Sequence, residues 1–373
     1  MSCDIIIPVF NQDKYTKECL ASIKANTDID YRIIFVDDNS NDADTVKFLG
    51  AISDKNIKIL RNEQNLGWVK SVNRGLEESG AEYVCIMNND TIVSGGWLPE
   101  MIAVAEKEAD IGLVNPEWEK PEKISISDYA AGRKRFRGEY IETDWVRGFC
   151  FLVKREVLNK IGGLDEAYSP GCFDDCDFSM RAIKEGFRCV RAKAAYVYHY
   201  RNISYKAILK DKRWNELLEA KKQLFYRRWG RPLRLVFIFT EKIVDKKVAE
   251  DMLYSLARKQ HHLYIWALSK DVPLVEHTNV RINFFPKVFF SLFATFGLLN
   301  NLGRNIAKKY NAIFLNESGI FRLFLLLGLD KKINIFLRDF NSIGIGTDII
   351  KQVENIKNER KIDGGYFNQR RGR

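Results

Sequence analysis

Residues 3–11 read Cys-Asp-Ile-Ile-Ile-Pro-Val-Phe-Asn, and the apolar run Ile5-Ile6-Ile7 within them decides the fold. A short, fully apolar run that ends at a proline is typical of a strand buried on both faces of a parallel sheet. A helix with one apolar face is predicted next, over 14–25, and a second apolar strand follows over 32–36. This strand–helix–strand order predicts an α/β fold.

The alternation continues for about a hundred residues. Further helices are predicted over 43–53, 67–79 and 97–109, and further strands over 57–60 and 83–87. Such an order is typical of a doubly wound, mostly parallel sheet, in which ligands bind beyond the carboxyl ends of the strands. Polar clusters follow three of the strands: Asn11, Asp37-Asp38-Asn39 and Asn88-Asn89-Asp90. They predict a site at that edge, although turns alone also favour Asn and Asp.

The alternation of predicted strands and helices becomes less regular after residue 112. Residues 120–144 are polar and are predicted to form a loop, before a strand over 149–153 and a helix over 155–161. The acidic turn 173–177 is expected to lead into another helix, and a strand is expected over 195–200.

Four segments are expected along the chain. They are a catalytic domain over 1–205, a basic connecting helix over 206–230, a Rossmann-like accessory domain over 231–363 and a flexible tail over 364–373. The accessory domain is expected to include a helix over 302–309. Its apolar run 288–299 is too short to cross a bilayer and predicts either a buried helix or a helix on a membrane surface.

Charge is distributed unevenly over the 373 residues. The first 200 carry 26 Lys and Arg against 33 Asp and Glu, whereas the remaining residues carry 33 against 16. A basic half can be a solvated surface, or it can meet a membrane, a lipid phosphate or nucleic acid. We expect no nucleic-acid partner and leave peripheral membrane contact open.

The seven cysteines indicate a reducing compartment. All lie between Cys3 and Cys189, their number is odd and their spacing is irregular, so neither a disulfide framework nor a zinc set is expected. No signal peptide is expected before the first strand, because Asp4 interrupts its apolar start. These features predict a cytoplasmic protein. A location on the cytoplasmic face of the membrane is the alternative.

Six short motifs in order carry a family resemblance. They are Ile6-Ile7-Pro8-Val9-Phe10-Asn11, Val36-Asp37-Asp38-Asn39-Ser40, Asn65-Leu66-Gly67-Trp68, Asn88-Asn89-Asp90, Gly162-Gly163-Leu164-Asp165 and Asp174-Asp175-Cys176-Asp177. Residues 1 to about 205 therefore resemble the family 2 glycosyltransferases with the GT-A fold. The Asn-Asn-Asp-Thr form also resembles rhamnosyl- and galactofuranosyltransferase-like members. Residues 231–363 show no such resemblance.

The resemblance implies an enzyme that transfers a sugar from a UDP- or dTDP-linked donor with inversion, for cell-surface polysaccharide synthesis. The expected partners are a nucleotide-sugar donor and a glycan or lipid-phosphate-linked acceptor. A divalent metal, Mn²⁺ or Mg²⁺, would neutralise the leaving diphosphate. The resemblance places it on Asp90, with His199 as a second ligand or as a histidine of the core.

The remaining expected site residues follow from the same resemblance. Transfer to a hydroxyl needs a general base, which the resemblance identifies as Asp175, with Asp174 as the alternative. The acids could instead only stabilise the start of a helix. The expected donor-binding residues are Pro8, Phe10, Asn11, Asp38, Asn65, Gly67, Trp68, Asn73, Asn88, Asn89 and Arg147.

Two other functions stay open. Asn88-Asn89-Asp90 holds one carboxylate where the family usually has two, which fits a degenerate module that binds nucleotide or glycan without turnover. A nucleotidyltransferase would also use aspartates at strand ends and a metal, but it leaves the block from Gly162 to Arg181 unexplained.

Overall fold

The computed structural model describes residues 2–200, 212–269, 271–304, 308–342 and 344–363. The chain divides into two compact units, Met1–Phe225 and Tyr226–Arg373. The predicted tail 364–373 and the first part of the predicted connecting helix, 206–211, lie outside the described residues.

The first unit alternates strands and helices from its first residues. Its strands are β1 Cys3–Val9, β2 Tyr31–Asp37, β3 Ile57–Arg61, β4 Tyr83–Met87, β5 Thr91–Val93, β6 Ile111–Glu117, β7 Tyr140–Thr143, β8 Cys150–Lys154 and β9 Arg188–His199. Its helices are α1 Asp13–Asn26, α2 Ala43–Gly50, α3 Trp68–Glu78, α4 Trp97–Ala105, α5 Ile126–Arg133, α6 Arg155–Ile161 and α7 Asp174–Lys184. Helix α8, Lys212–Trp229, contains the boundary between the units.

Within the described residues, nine strands form one sheet in the order β3-β2-β1-β4-β8-β6-β9-β5, and β7 pairs with β9. The first four in this order run parallel, and β8 runs antiparallel to β4 and β6. Because β1 and β4 are in register from Cys3 opposite Tyr83, their carboxyl ends meet at one edge. The predicted fold class, a GT-A type doubly wound and mostly parallel sheet, is confirmed.

Burial on both faces explains the apolar start of the chain. Ile5 and Ile7 belong to the core under α1 and α4, whereas Ile6 belongs to the core on the opposite face under α3 and α7. All three side chains are fully buried. Each contributes on the order of 1.5–3 kcal/mol through removal from water, so a continuous apolar run is needed here.

The prediction of a loop over 120–144 was wrong in part. Helix α5 forms there, and the Ser125 hydroxyl caps it by accepting a hydrogen bond from the N–H of Asp128 (3.1 Å). Strand β7 also forms there, because it pairs with β9, which begins at Arg188 instead of at 195. Pairing across such a sequence distance leaves little periodic signal in a polar segment.

The second unit is a smaller α/β layer structure. Its strands are β10 Arg234–Phe239, β11 His262–Ala267, β12 Val280–Phe284, β13 Ala312–Leu315 and β14 Asn334–Leu337. Its further helices are α9 Lys246–Arg258, α10 Phe290–Leu302, α11 Ser318–Leu326 and α12 Ile345–Asp363. The sheet is parallel in the order β12-β11-β10-β13-β14, which is a Rossmann-like order, as predicted.

One predicted helix of the second unit falls partly outside the described residues. It was expected over 302–309, of which the structure does not describe 305–307, and α10 ends at Leu302. The Asn301 side chain closes the following turn, donating to the carbonyl oxygen of Lys308 (3.1 Å) and accepting from the N–H of Tyr310 (2.7 Å). Among the described residues, no helix is both long and apolar enough to cross a membrane.

Candidate active site

A cavity of about 760 Å³ opens in the first unit at the carboxyl ends of β1 and β4. Most of the residues predicted for donor, metal and base line it together. These are Pro8, Phe10, Asp38, Asn65, Gly67, Trp68, Asn88, Asn89, Asp90, Arg147, Asp174, Asp175 and His199. Residues more than 150 positions apart in sequence thus share one space.

Two predicted donor-binding residues, Asn11 and Asn73, do not line the cavity. The side-chain oxygen of Asn11 accepts from the N–H groups of Asn41 (2.9 Å) and Asp42 (3.1 Å). The side chain of Asn73 donates to the carbonyl of Leu164 and accepts from its N–H, both at 2.8 Å. Both amides therefore hold loops together.

Asp38 organises the loop before α3. One carboxylate oxygen accepts from the Asn62 amide (2.7 Å) and the N–H of Leu66 (2.8 Å), and the other accepts from the N–H of Gly67 (2.8 Å). The carboxylate also lines the cavity. One side chain thus fixes the loop and also forms part of the cavity wall.

The acidic pair begins α7 and lies at the cavity. Asp175 accepts hydrogen bonds from the N–H groups of Gly148 (2.9 Å) and Cys176 (2.8 Å). Burial raises the pKa of Asp175, and these two donors oppose the rise by favouring the charged form.

Asp174 is the more strongly perturbed of the two acids. Burial, with a further contribution from the charge of Asp175, raises the pKa of Asp174 to about 7. A hydrogen bond from the Trp68 side chain acts in the opposite direction. Burial therefore favours proton uptake by the acidic pair at a higher pH than for two exposed aspartates.

Asp177 of the same helix has a structural role. Its carboxylate accepts from Arg181 at 2.9 Å, the pairing expected from their spacing. Arg181 also donates to the carbonyls of Ile161 (2.6 Å) and Gly163 (2.7 Å), so it fastens α7 to the glycine-rich turn after α6.

Asp90 and His199 meet on one side of the cavity. A carboxylate oxygen of Asp90 lies 3.2 Å from Nε2 of His199, and the Asn88 amide lies 3.4 Å from the same nitrogen. The imidazole stacks on Phe149 with ring centroids 4.9 Å apart. An oxygen and an imidazole nitrogen this close together fit two ligand positions of a Mn²⁺-type ion.

Within the described ranges, no group of three or more His, Cys, Asp and Glu side chains could hold a metal. Amide oxygens, substrate oxygens and water could supply the further ligands of a bound ion.

Sequence reasoning missed Asn115, which fixes the turn before β8. Its buried side chain accepts from the N–H of Arg147 (2.7 Å) and donates to the carbonyls of Arg147 (3.1 Å) and Cys150 (2.6 Å). This turn carries both Gly148, which binds Asp175, and Phe149, which stacks on His199. An asparagine inside an otherwise apolar strand was the available signal.

Two aromatic lining residues were also missed. Trp118 follows β6 and Trp214 lies on α8, and both line the cavity. Neither belongs to a motif that marks it in the sequence.

Comparison with known families identifies the first part of the chain. Residues 4–162 match the model of Glycosyl transferase family 2. This segment is a family 2 glycosyltransferase domain. It contains the strands and loops that supply one side of the cavity, and the matched range ends before Asp174 and Asp175.

Curated relatives match the transferase domain at low identity. An "Uncharacterized glycosyltransferase" of Haemophilus influenzae is 34% identical over 109 residues, covering 29% of this chain and 33% of its own. The O-antigen biosynthesis protein RfbC of Myxococcus xanthus is 22% identical, covering 54% of this chain and 18% of its own. The N-acetylglucosaminyl-diphospho-decaprenol L-rhamnosyltransferase of Mycobacterium tuberculosis is 21% identical, covering 53% and 75%.

The chain spans only part of these relatives: 33% of the length of the Haemophilus influenzae protein and 18% of the length of RfbC. It also spans 24% of the protein y4gI of Sinorhizobium fredii, to which it is 26% identical. Among solved structures, Staphylococcus aureus TarS 1-349 in complex with UDP-GlcNAc is 18% identical with a TM-score of 0.44, covering 61% of this chain and 73% of its own.

Proposed function

We propose that the chain is an inverting glycosyltransferase that moves a sugar from a nucleotide-diphosphate donor to a hydroxyl of a glycan or lipid-linked acceptor. The observation that carries the proposal is the acidic pair: Asp175, held by the N–H of Gly148, lines the same cavity as Asp90 and His199. Two relatives whose names refer to O-antigen biosynthesis and to rhamnosyl transfer support a role in cell-surface polysaccharide synthesis.

Asp175 is the proposed general base. Its carboxylate takes the proton of the acceptor hydroxyl while that oxygen forms a bond to the anomeric carbon of the donor. The bond from the anomeric carbon to the diphosphate oxygen breaks, and its electron pair leaves with the nucleoside diphosphate. One in-line displacement inverts the anomeric configuration. The raised pKa of Asp174 reduces the negative charge beside the base.

Asp90 and His199 are the proposed ligands of a divalent cation, Mn²⁺ or Mg²⁺. When bound, such an ion would supply Lewis-acid neutralisation of the leaving diphosphate. The imidazole nitrogen favours Mn²⁺ over Mg²⁺, which prefers oxygen ligands. Because the protein supplies few ligands, we expect metal and nucleotide to bind together and each to bind weakly alone.

The donor is proposed to lie along the strand ends. Pro8, Phe10 and Asp38 would contact the nucleobase and ribose, with Asn65, Gly67 and Trp68 beside them. Asn88, Asn89 and Arg147 would lie near the diphosphate. All nine line the cavity.

A binding module without turnover is the second candidate. It is favoured by the small metal set, since no described cluster offers three of the usual metal-binding side chains. It gives no reason for a buried carboxyl and a half-buried carboxyl with raised pKa values at the same cavity.

Calorimetric titration with UDP and dTDP, with and without Mn²⁺, separates the two candidates when it is combined with a transfer assay. We expect one of the nucleotides to bind only with the metal, and Asp90→Ala to abolish that binding. Asp175→Asn should keep the binding and lower kcat by about 10²–10⁴-fold, because the general base is gone.

Asp28→Asn is the matched control, since Asp28 is an exposed aspartate of the same unit. A fully active Asp175→Asn enzyme would exclude Asp175 as the base and direct the test to Asp174. Metal-dependent binding with no transfer to any hydroxyl acceptor would favour the binding module.

A further inference from the structure

The second unit has an apolar outer surface on the layer formed by α10 and α11. The inner sides of the two helices pack on the same face of the sheet: Phe290, Ala294 and Leu298 come from α10, and Ile320 and Phe324 come from α11. The opposite face of the sheet is covered by α9 and α12. Among the described residues, the buried contacts of both helices with the sheet come from their inner sides.

The outer side of α10 is as apolar as its inner side. Leu292, Phe296 and Leu299 follow a spacing of four and then three residues, which places them on one face of the helix. Leu292 is 71% exposed and Phe296 is 69% exposed. A helix that needs only one face for packing normally carries polar residues on the other.

The end of α11, in the same layer, also has exposed apolar side chains. Leu326 is 86% exposed, and Leu325 and Leu327 beside it are also exposed. Val288 and Phe289, just before α10, are exposed as well. Isolated exposed apolar side chains need no explanation, but a run on two helices of one layer marks an interaction surface.

Positive charge accompanies the apolar residues. Residues 286–333 contain seven Lys and Arg against two Asp and Glu. One of the two acids, Glu317, accepts hydrogen bonds from the N–H groups of Gly319 (2.7 Å) and Ile320 (2.9 Å), so its charge stabilises the start of α11. Lys331 and Lys332 follow Leu326 and Leu327 closely and are exposed.

We propose that this surface of α10 and α11 docks on an anionic lipid bilayer. Apolar side chains would enter the boundary between headgroups and acyl chains, while the lysines and arginines would meet anionic headgroups. The excess of positive charge favours a membrane over a second copy of this surface, because two copies would place like charges together. The helices would lie on the membrane without crossing it.

Sedimentation of the full chain with lipid vesicles tests the proposal without any sugar donor, so it is independent of the transfer activity. One set of vesicles is phosphatidylcholine, and the other is phosphatidylcholine with an equal amount of phosphatidylglycerol. We expect partitioning into the anionic vesicles that falls as salt is added.

The apolar contribution is tested with the double variant Leu292→Ser and Phe296→Ser. We expect a loss of partitioning of at least about tenfold, because both side chains would leave the lipid. The matched control is Val244→Ser with Leu274→Ser, which removes two exposed apolar side chains elsewhere in the unit. An equal loss in the control would overturn the assignment to α10 and α11.

The charge contribution is tested with Lys331→Ala and Lys332→Ala, which does not touch the packed side of either helix. We expect a loss of about tenfold on anionic vesicles only. Lys242→Ala with Lys351→Ala is the matched control, since both lysines are exposed and lie outside the α10–α11 layer.

Three results would overturn the proposal. The first is wild-type protein that stays in the supernatant with both kinds of vesicle. The second is equal binding to both kinds with no effect of the lysine variant. The third is a dimer in light scattering that Leu292→Ser with Phe296→Ser dissociates, which would assign the surface to a second copy of the chain. Circular dichroism of each variant checks that it is folded.

Discussion

The backbone conformation at position 67 of the transferase domain requires a glycine, Gly67. Its φ of +82° lies in the region that side chains disfavour, and an added Cβ would lie 2.5 Å from Cβ of Pro170. Its N–H also donates to Asp38 at 2.8 Å. The loop before α3 therefore needs glycine both for its own shape and for the approach of the loop around Pro170.

We expect Gly67→Ala to lower the free energy of unfolding by about 1–3 kcal/mol and to weaken nucleotide binding, because the strained loop must move away from Pro170. Thermal unfolding and the UDP and dTDP titrations measure the two effects. Gly50→Ala is the control: an added Cβ there meets no atom within 4 Å. An unchanged melting temperature and affinity for Gly67→Ala would contradict the structural account.

At the scale of elements, the cavity depends on the turn between β7 and β8. Asn115 reaches this turn from β6 and binds both Arg147 and Cys150. Within this turn, the N–H of Gly148 donates a hydrogen bond to Asp175 on α7. A buried amide that touches no ligand thus sets the position of the proposed base.

Asn115→Leu should therefore reduce turnover more than binding. We expect kcat to fall by about 10–100-fold and the nucleotide affinity to change little, because the base is displaced while the strand ends keep their places. Stability should fall by about 1–3 kcal/mol, since buried backbone groups lose their partners.

Leu49→Ala provides the control for lost stability, because Leu49 is buried in the core of the same unit on α2. It should lower the melting temperature while keeping kcat. Asn115→Asp keeps the acceptor for the N–H of Arg147 and should restore part of the turnover. An Asn115→Leu enzyme with normal kcat would show that the turn does not position Asp175.

At the scale of the whole molecule, the two units should respond to pH in opposite directions. The raised pKa of Asp174 means that the folded first unit binds this proton more tightly than the unfolded chain. The stabilisation of the first unit by proton binding at Asp174 is fully present below the ordinary carboxyl pKa of about 4. It is lost as pH rises towards about 7.

Two histidines give the second unit the opposite dependence. Burial lowers the pKa of His261 well below its ordinary value and lowers the pKa of His262 to about 4. The unfolded chain takes up protons below about pH 6.5 that the folded unit does not accept. Their stability contribution is present above that pH and is lost as pH falls.

Differential scanning calorimetry between about pH 7.5 and 5.5 should show the transition of the second unit moving down by about 5–10 °C while that of the first moves up. His262→Gln should reduce the downward shift, because it removes one titrating group. At about pH 7.5 His262 is neutral in both the folded and the unfolded state. The control is therefore the comparison of wild type and variant at that pH, where the charge of His262 makes no difference to stability. Movement of both transitions in the same direction would contradict the assignment.

The sequence by itself determined the fold class, the strand ends and most of the cavity lining. Local signals were sufficient there: Ile5-Ile6-Ile7 must be buried on both faces, and parallel strands bring their polar ends to one edge. The order of motifs then indicated the family, which residues 4–162 confirm.

Only the tertiary structure decided the partners of each polar side chain. Asn11 and Asn73 look like ligand-binding residues in the sequence, yet both amides are used by loops. Asn115 looks like one polar residue in an apolar strand, yet it holds the turn beside Asp175.

The tertiary structure also decided which apolar residues remain exposed. The run 288–299 predicted a helix, either buried or on a membrane surface. The sequence does not say how many faces of that helix pack against other elements. In the fold, one side of α10 packs on the sheet and the other faces outward. Hydrogen bonds and burial depend on what the chain brings together from distant positions, whereas strand and helix patterns depend on neighbours within a few residues.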